Sequence, residues 1–400
     1  MITIYLDKEE ERMYSGEYGW PIEKAIRVIV KVGEAIGAER LIDITHAHIS
    51  GVGYANIGNP GLSLLRDLVR SGAKMKVYTT ANPGSVDSES YRYFQYGYEF
   101  RDKQEEIFDL YRMMGVYAFT CTPYYLRKPS RGEYLSWAET NAVLIANSLY
   151  GAKTNREGGL LALMSGIVGK TYYGGLLIDS NRIPEVLISI EARLDKLSEY
   201  GALGLITGEI TGSRIPYVKG FSKGLSHERI KTFMAALGSS GSTGLALIDG
   251  ISPEALSLDL DKFNLEKIYI DGKEIRSMIE KSMCEDPEAY LIGCPHASLE
   301  LLTDLANMIS EKSGRAKKPV WVFTSDYVYS EISRSGTLDK LEKRGINVFK
   351  GICGVISPLN MLGYRCIGTP SAKASFYLPK LAKTRFILID LESIISDVFR

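Results

Sequence analysis

Apolar residues along the chain recur at two spacings, one typical of helices and the other of short buried strands. Ile22, Ala25, Ile26 and Ile29 follow the three-to-four-residue period of an amphipathic helix, and the apolar run 41–44 then predicts a buried strand. The same alternation continues with predicted helices at 62–70, 104–114 and 137–149 and predicted strands at 75–79 and 116–119. This order is typical of βα units and parallel sheets.

The second half of the chain repeats this alternation. Predicted strands lie at 203–206, 244–248, 289–292, 320–323, 348–351 and 386–389, and predicted helices lie at 228–237, 274–283 and 299–311. The pattern therefore predicts an α/β fold with more than one sheet, in which the strands are mostly parallel. The glycine-rich stretch 213–224 is the expected boundary between an α/β region 1–212 and a second α/β region 213–400.

Composition and charge exclude several classes of protein. The 400 residues are 45% apolar and 24% charged, which is enough for a large core, and the 48 Lys and Arg residues balance 48 Asp and Glu residues. Interspersed charges of this kind are not typical of proteins that bind nucleic acid or a membrane surface. No apolar run approaches the roughly 18 residues of a membrane span, and the acidic N-terminus lacks the features of a secretory signal. We expect a cytoplasmic protein.

Five dispersed cysteines are expected to be reduced, because they are too sparse for a disulfide framework. Cys121, Cys294 and Cys353 each follow a predicted strand, at the edge of a parallel sheet where ligands bind. Three thiolates at that edge could hold a metal ion or an iron–sulfur cluster, although each residue could equally be a small buried apolar side chain. We give Cys284 and Cys366 only this second interpretation.

Three of the four histidines, His46, His48 and His296, also lie in predicted strand-end loops. A neutral imidazole there could act as a base, a hydrogen-bond donor or a metal ligand, or it could simply hydrogen-bond within the loop. His227 directly follows Ser226, where helix capping by the serine is the better explanation.

Three loops combine small polar residues with features that bind anions. Segments 79–85, 154–156 and 371–375 offer hydroxyl groups and backbone N–H groups, and the last two add Arg156 and Lys373. Ordinary turn chemistry explains each loop equally well. The sequence contains neither a P-loop nor a GxGxxG fingerprint, which argues against an NTPase and a simple dinucleotide-dependent oxidoreductase.

Motifs spread over nearly the whole chain resemble those of the aconitase X family, in particular the large subunits of its archaeal members. In chain order they are HAHISG at 46–51, TANPGS at 80–85, TCTPY at 120–124, ETNAVLIANS at 139–148, GAKTNR at 151–156, GCPH at 293–296, Cys353 with SP at 357–358, and SAK at 371–373. The resemblance implies an aconitase-like α/β fold and an iron–sulfur cluster, expected to be 4Fe-4S with one open iron, on Cys121, Cys294 and Cys353.

The resemblance also implies an activity, a partner and a set of site residues. The expected reaction is the dehydration of (R)-mevalonate 5-phosphate to trans-anhydromevalonate 5-phosphate in the archaeal mevalonate pathway, with a small subunit that carries a mobile domain. The candidate catalytic residues are His46, His48, Glu139 and Asn141. The candidate substrate-binding residues are Thr80, Asn82, Ser85, Asn155, Arg156, His296, Ser371, Lys373 and Ser375, and the phosphate is expected to meet some of Arg156, Ser371, Lys373 and Ser375.

Three alternatives stay open at this point. The first is a cis-3-hydroxyproline dehydratase of the same family, although the stretch 51–54 lacks the cysteine that its bacterial members tend to carry, which favours the archaeal substrate. The second is a binding subunit that is metal-free or holds zinc and does not catalyse. The third is a hydrolase with a cysteine nucleophile, for which the neighbours Cys294 and His296 are the only sequence signal.

Overall fold

The computed structural model describes residues 4–222, 224–357 and 359–400 of the chain. Its helices are α1 (Lys8–Tyr14), α2 (Trp20–Ala35), α3 (Tyr54–Arg70), α4 (Tyr98–Met114), α5 (Thr140–Ser148), α6 (Gly159–Val168), α7 (Leu197–Thr211), α8 (His227–Ser240), α9 (Gly272–Glu280), α10 (Leu299–Ser310), α11 (Asp326–Arg334), α12 (Thr337–Lys343), α13 (Ala372–Tyr377) and α14 (Leu391–Val398). Its strands are β1 (Leu41–Asp43), β2 (His46–Ile49), β3 (Tyr78–Ala81), β4 (Leu135–Trp137), β5 (Lys170–Tyr172), β6 (Val186–Glu191), β7 (Pro216–Lys219), β8 (Leu247–Ile248), β9 (Glu266–Asp271), β10 (Ala289–Ala297), β11 (Val320–Thr324), β12 (Ile346–Lys350), β13 (Cys366–Thr369) and β14 (Arg385–Leu388).

Four sheets form the architecture, and three of them are entirely parallel. The parallel sheets have the strand orders β3-β2-β4, β8-β7-β6-β9 and β12-β11-β10-β13-β14, whereas β1 and β5 form an antiparallel pair. The predicted α/β fold with mostly parallel sheets is therefore confirmed. The four-stranded sheet has strands on both sides of residue 212.

Strand β11 reads as a continuous apolar run because it is covered on both faces, and every one of its residues is buried. Val320 and Val322 pack among helices on one face, whereas Trp321 and Phe323 pack against the segments 86–94 and 352–355 on the other. Helix α8 begins at the N-cap Ser226, whose side chain accepts a hydrogen bond from the N–H of Arg229 at 3.4 Å, so the predicted capping role of Ser226 is confirmed.

Two of the parallel sheets meet at their carboxyl ends, and the loops after their strands are bonded to one another. The N–H of Cys353, after β12, donates to the carbonyl of Gly84, after β3, at 2.9 Å. Ser357 Oγ donates to the carbonyl of Ser85 at 2.6 Å. Because both loops follow the carboxyl ends of parallel strands, these bonds bring two sets of strand-end residues to one place.

Two predicted strands are wrong. Residues 203–206 lie inside α7, which is buried around most of its circumference and therefore shows an unbroken apolar run instead of helical periodicity. Residues 116–119 form no strand, and only Phe119 makes an isolated bridge, with Ala81. Cys121 still follows this bridge to the carboxyl end of β3.

The expectation that all five thiols are reduced is also wrong. Cys284 lies beyond the end of α9 and forms a disulfide with Cys366 at the start of β13. The two residues are 82 positions apart in sequence but their Cα atoms lie 6.1 Å apart, within the range that a disulfide requires. Spacing alone could not reveal this proximity.

Within the described part of the chain, no helix has both the length and the apolar composition needed to cross a membrane.

Candidate active site

A cavity of about 260 Å³ lies between the carboxyl ends of the two sheets that meet. Its wall includes seven of the residues singled out by the sequence, and they come from six separate segments of the chain. They are Asn82, Cys121, Glu139, Cys294, His296, Cys353 and Lys373. The volume suits a small metabolite, and the wall combines apolar surface with a few polar groups, as binding cavities usually do.

The cavity contains all three cysteines that remain outside the disulfide. Cys121 is buried, and Cys294 and Cys353 are partly buried. The N–H of His296 donates to Cys121 Sγ at 3.2 Å. Burial raises the pKa of Cys294 to about 12 and raises the pKa of Cys121 and of Cys353 above the ordinary thiol value. A metal that binds these sulfurs would therefore displace protons from them.

The three free thiols have the chemistry of one class of metal site. Cysteine thiolates are the usual ligands of iron–sulfur clusters. Cys121, Cys294 and Cys353 all line the cavity and lie outside the disulfide, so their chemistry fits such a cluster. Within residues 4–222, 224–357 and 359–400, no three or more His, Cys, Asp or Glu side chains are arranged to hold one ion.

Glu139 and Lys373 form a buried ion pair in the cavity wall. Glu139 is the N-cap of α5, where it accepts a hydrogen bond from the N–H of Ala142 at 2.6 Å, and its other oxygen accepts from Lys373 Nζ. Burial by itself lowers the pKa of Lys373, but the carboxylate of Glu139 and the nearby Cys294 outweigh it and raise that pKa above the ordinary lysine value. The pair therefore places a lysine and a glutamate side chain beside the three sulfurs.

His46 and His48 lie within strand β2 and not in the predicted loop after a strand, and both are buried behind the cavity wall, outside its lining. Burial lowers the pKa of His48 to about 4, so its ring is neutral at pH 7. His48 Nε2 donates to Asn82 Oδ1 at 2.9 Å, which leaves His48 Nδ1 to accept from Thr80 Oγ1 at 2.7 Å. Thr80 Oγ1 in turn accepts from His46 Nε2 at 2.9 Å. One ordered chain of hydrogen bonds thus ends at Asn82, which does line the cavity.

His296 is held from both sides of its ring. Burial lowers its pKa to about 4, so the ring is neutral at pH 7. Its Nε2 donates to the carbonyl of Ile352 at 2.9 Å, and its Nδ1 then accepts from Thr120 Oγ1 at 3.2 Å. The ring thereby connects the loops that carry Cys121, Cys294 and Cys353.

The remaining candidate residues lie outside the cavity lining. Asn155 donates to the carbonyl of Gly174 at 3.1 Å, and Arg156 is exposed and donates to the carbonyl of Gly241 at 3.2 Å. Ser371 Oγ donates to the carbonyl of Cys294, and Ser375 Oγ to the carbonyl of Ala372 at 2.8 Å. The other members of this group, all fully buried, are Ser85, Asn141 and Thr80.

Sequence reasoning missed several polar residues of the cavity. Ser50 and Gly51 line it directly after β2, and Asn56 lines it from the first turn of α3. The strand-end rule that selected the cysteines also applies to Ser50, so this residue could have been found. Asn56 carried no such signal, because it lies inside a helical segment.

Family models described as the first, second and third domains of aconitase X match residues 3–180, 184–280 and 287–400. The crystal structure of the holo-form of Thermococcus kodakaraensis aconitase X matches with a TM-score of 0.92 and 36% identity, covering 99% of this chain and 100% of that one.

Curated relatives agree with this match. The phosphomevalonate dehydratase large subunit of Methanothermobacter thermautotrophicus is 39% identical, covering 94% of each chain, and that of Thermococcus kodakarensis is 37% identical, covering 98% of this chain and 100% of its own. A cis-3-hydroxy-L-proline dehydratase from Hypocrea jecorina is 32% identical, and the match covers 96% of this chain but 67% of that protein. With all three domain models matched and a solved relative superposing over nearly its full length, the chain belongs to the aconitase X family.

Proposed function

We propose that this chain is the large, catalytic subunit of a phosphomevalonate dehydratase. The proposed reaction removes water from (R)-mevalonate 5-phosphate and yields trans-anhydromevalonate 5-phosphate. The observation that carries the proposal is the convergence of three free thiols, a lysine and a carboxylate on one cavity. The names of the archaeal relatives, which match over nearly their whole length, support the same reaction.

Cys121, Cys294 and Cys353 are the residues that would hold an iron–sulfur cluster, which we propose to be of the 4Fe-4S type. Three thiolates bind three of its four irons. When bound, such a cluster supplies an open iron that acts as a Lewis acid toward the substrate's carboxylate and hydroxyl group.

The other cavity residues are assigned to binding and proton transfer. Dehydration takes a proton from the carbon next to the carboxylate and the hydroxyl group from the neighbouring tertiary carbon, without oxidation or reduction. Glu139 is proposed to exchange a proton with the substrate through Oε1, the oxygen that faces Lys373. Lys373 is proposed to bind an anionic group of the substrate, either its phosphate or its carboxylate.

Asn82 is proposed to bind the substrate. Buried residues behind the cavity wall are proposed to fix the orientation of its side chain. A chain of hydrogen bonds runs from His46 through Thr80 and His48 to Asn82. Asn82 Oδ1 accepts the last of these bonds, so this oxygen is already engaged. In this proposal His46 and His48 act through Asn82, and His296 keeps the cysteine loops in place.

A small subunit is the proposed partner, because the archaeal relatives are named large subunits. We propose that it carries a mobile domain that completes the proton-transfer groups of the cavity. This chain alone is therefore expected to hold the cluster but to turn over poorly without its partner.

The first test measures iron and acid-labile sulfide per chain after anaerobic purification. Wild type is expected to contain both, and Cys121→Ala, Cys294→Ala and Cys353→Ala are each expected to lose them. Cys284→Ala is the matched control, because Cys284 lies in the disulfide and is expected to leave the iron content unchanged. Absence of iron from protected wild-type protein would favour a zinc-bearing or metal-free subunit.

The second test assays the complex of both subunits with two substrates. Turnover of mevalonate 5-phosphate without turnover of cis-3-hydroxy-L-proline is the expected result. The reverse result would assign the activity of the more distant relatives, such as the one from Hypocrea jecorina. Full turnover by the large subunit alone would contradict the proposed role of the partner.

A further inference from the structure

Lys231 is a fully buried lysine on α8 that the proposed reaction does not use. Lys231 is 1% exposed, and it is not among the residues that line the cavity. Lys231 Nζ donates to the carbonyl of His296 and to Tyr125 Oη, both at 3.1 Å, and pairs with Glu228 Oε1 at 2.7 Å. Each of the three N–H donors of the ammonium group therefore has an acceptor.

The partners of Lys231 lie within a few residues of the cavity groups. Tyr125 follows Cys121 in the same loop, and His296 follows Cys294. The backbone carbonyl of Lys231 accepts from Asn141 Nδ2 at 3.2 Å, and Asn141 lies in the first turn of the helix that Glu139 caps. One residue of α8 is thus bonded to three segments that each contribute to the cavity.

Two further bonds extend this network. Glu228 Oε2 accepts from Ser298 Oγ at 2.6 Å, which fixes the chain just after His296. Asn141 Oδ1 accepts from Tyr124 Oη at 2.7 Å, which ties the loop of Cys121 to the helix of Glu139. The segments are therefore joined to one another as well as to α8.

A buried ion pair of this kind contributes little to stability by itself, because the cost of desolvating both charges offsets their attraction. Its contribution in some proteins is to favour one arrangement of the groups around it. We infer that Lys231 is a positioning residue, which holds the segments of Cys121, Glu139 and Cys294 so that their side chains face one cavity. The inference concerns the same cavity as the proposed function but does not depend on the reaction assigned to it.

The test measures how fast iodoacetamide alkylates each free thiol in the metal-free full-length chain, resolved by peptide mass spectrometry. The main variant is Lys231→Met with Glu228→Gln, which removes both charges together and leaves no unpaired buried ion. Alkylation of Cys121 and Cys294 is expected to accelerate about fivefold or more relative to wild type, because local opening exposes them. Cys353 lies on a loop that Lys231 does not contact and is expected to change less.

The control removes an ion pair that lies away from the cavity and joins a buried arginine to a partly buried glutamate. Arg182 Nη2 pairs with Glu254 Oε1 at 2.7 Å, and the arginine also donates to the carbonyls of Leu176 and Ala152. Arg182→Met with Glu254→Gln is expected to lower the melting temperature without selective acceleration at Cys121 and Cys294. Equal acceleration of all three thiols in the Lys231 variant, or none, would overturn the inference.

A milder variant covers the case in which the double variant does not fold. Tyr125→Phe removes only the hydroxyl that accepts from Lys231 Nζ and leaves the ion pair with Glu228 intact. Cys121 is expected to react about twofold faster or more, and Cys294 to change less. The variant also loses the bond from Tyr125 Oη to the carbonyl of His296 at 3.5 Å, but Lys231 still donates to that carbonyl. An unchanged rate at Cys121 would contradict the positioning role. Because no substrate, metal or small subunit is present, this outcome is independent of whether the dehydratase assay succeeds.

Discussion

Glu139 and Glu157 are both buried glutamates, 5% and 7% exposed, yet they lie in different electrostatic surroundings. Glu139 faces the cavity and pairs with Lys373. Glu157 lies in the core of the first region, where Tyr172 Oη donates to its Oε2 at 3.2 Å and its Oε1 has no hydrogen-bond partner among the described residues. Burial raises the pKa of Glu157 to about 7.

The difference shows that burial alone does not define the role of a carboxylate. A buried carboxylate must either meet a positive group or keep its proton, because the unpaired charge is costly to desolvate. Glu139 pairs with a lysine beside the three sulfurs, whereas burial of Glu157 without a positive partner raises its pKa to about 7. The following predictions test this contrast, from the largest expected effect to the smallest.

Glu139→Gln is expected to lower kcat of the complete enzyme about 100-fold or more, because it removes the group proposed to exchange a proton with the substrate. Glu157→Gln is the matched control and is expected to change kcat by less than about threefold, because Glu157 does not touch the cavity. Steady-state kinetics with both subunits and mevalonate 5-phosphate measure the two effects. Similar losses in both variants would remove the distinction between the two glutamates.

Lys373→Ala is expected to raise KM about tenfold or more, and to lower kcat by a smaller factor, because an anion-binding charge is lost from the cavity. Arg156→Ala is the control, since Arg156 is exposed and bonded to the carbonyl of Gly241. The control is expected to keep both constants near those of wild type. A fall in kcat with an unchanged KM in Lys373→Ala would contradict its binding role.

The stability of the protein is expected to fall as pH rises from about 4.5 to about 7, in part because of Glu157. Below pH 4.5 the carboxyl group of Glu157 is protonated in both the folded and the unfolded state, so its titration does not change the free energy of unfolding there. Above pH 4.5 the unfolded chain releases this proton before the folded protein does, so the free energy of unfolding falls. The fall ends near pH 7, where the folded protein releases the proton as well. The contribution is roughly 3 kcal/mol. Urea unfolding at pH 5 and pH 8 is expected to show a smaller pH dependence in Glu157→Gln than in wild type. An unchanged pH dependence would exclude a raised pKa at Glu157.

Tyr172→Phe is expected to have the smallest effect. Loss of the hydroxyl that donates to Glu157 Oε2 is expected to cost about 1 kcal/mol of unfolding free energy. It is also expected to raise the pKa of Glu157 further, because this hydrogen bond favours the charged form. The same urea series would show the fall in stability extending to higher pH. A shift toward lower pH would contradict this account.

Much of the site could be predicted from the sequence, because parallel strands place their carboxyl ends at one edge. That rule selected Cys121, Cys294 and Cys353, and all three line one cavity. The composition of the loops 79–85 and 371–375 pointed to anion binding, and Asn82 and Lys373 from these loops line the same cavity. The strand-end rule succeeded even where the predicted strand 116–119 was wrong, because Phe119 still bridges to β3.

Contacts between distant segments could not be predicted in this way. The ion pair of Lys373 with Glu139 joins residues that are 234 positions apart in sequence, and the disulfide of Cys284 with Cys366 joins residues 82 positions apart. Arg156 and Lys373 looked equivalent as anion-binding residues, yet only Lys373 lines the cavity. The sequence shows which residues each loop contains, but it does not show whether their side chains face the cavity.

The sequence by itself therefore determined the class of fold, through the alternation of helical and strand patterns, and the residue types at the strand ends. Only the tertiary structure decided which side chains share the cavity, which glutamate is paired, and that α7 is a helix. The physical reason is that local patterns record backbone conformation and burial, which depend on near neighbours. Ion pairs, disulfides and cavity walls depend on how separate elements pack, and neighbouring residues in the sequence carry little information about that.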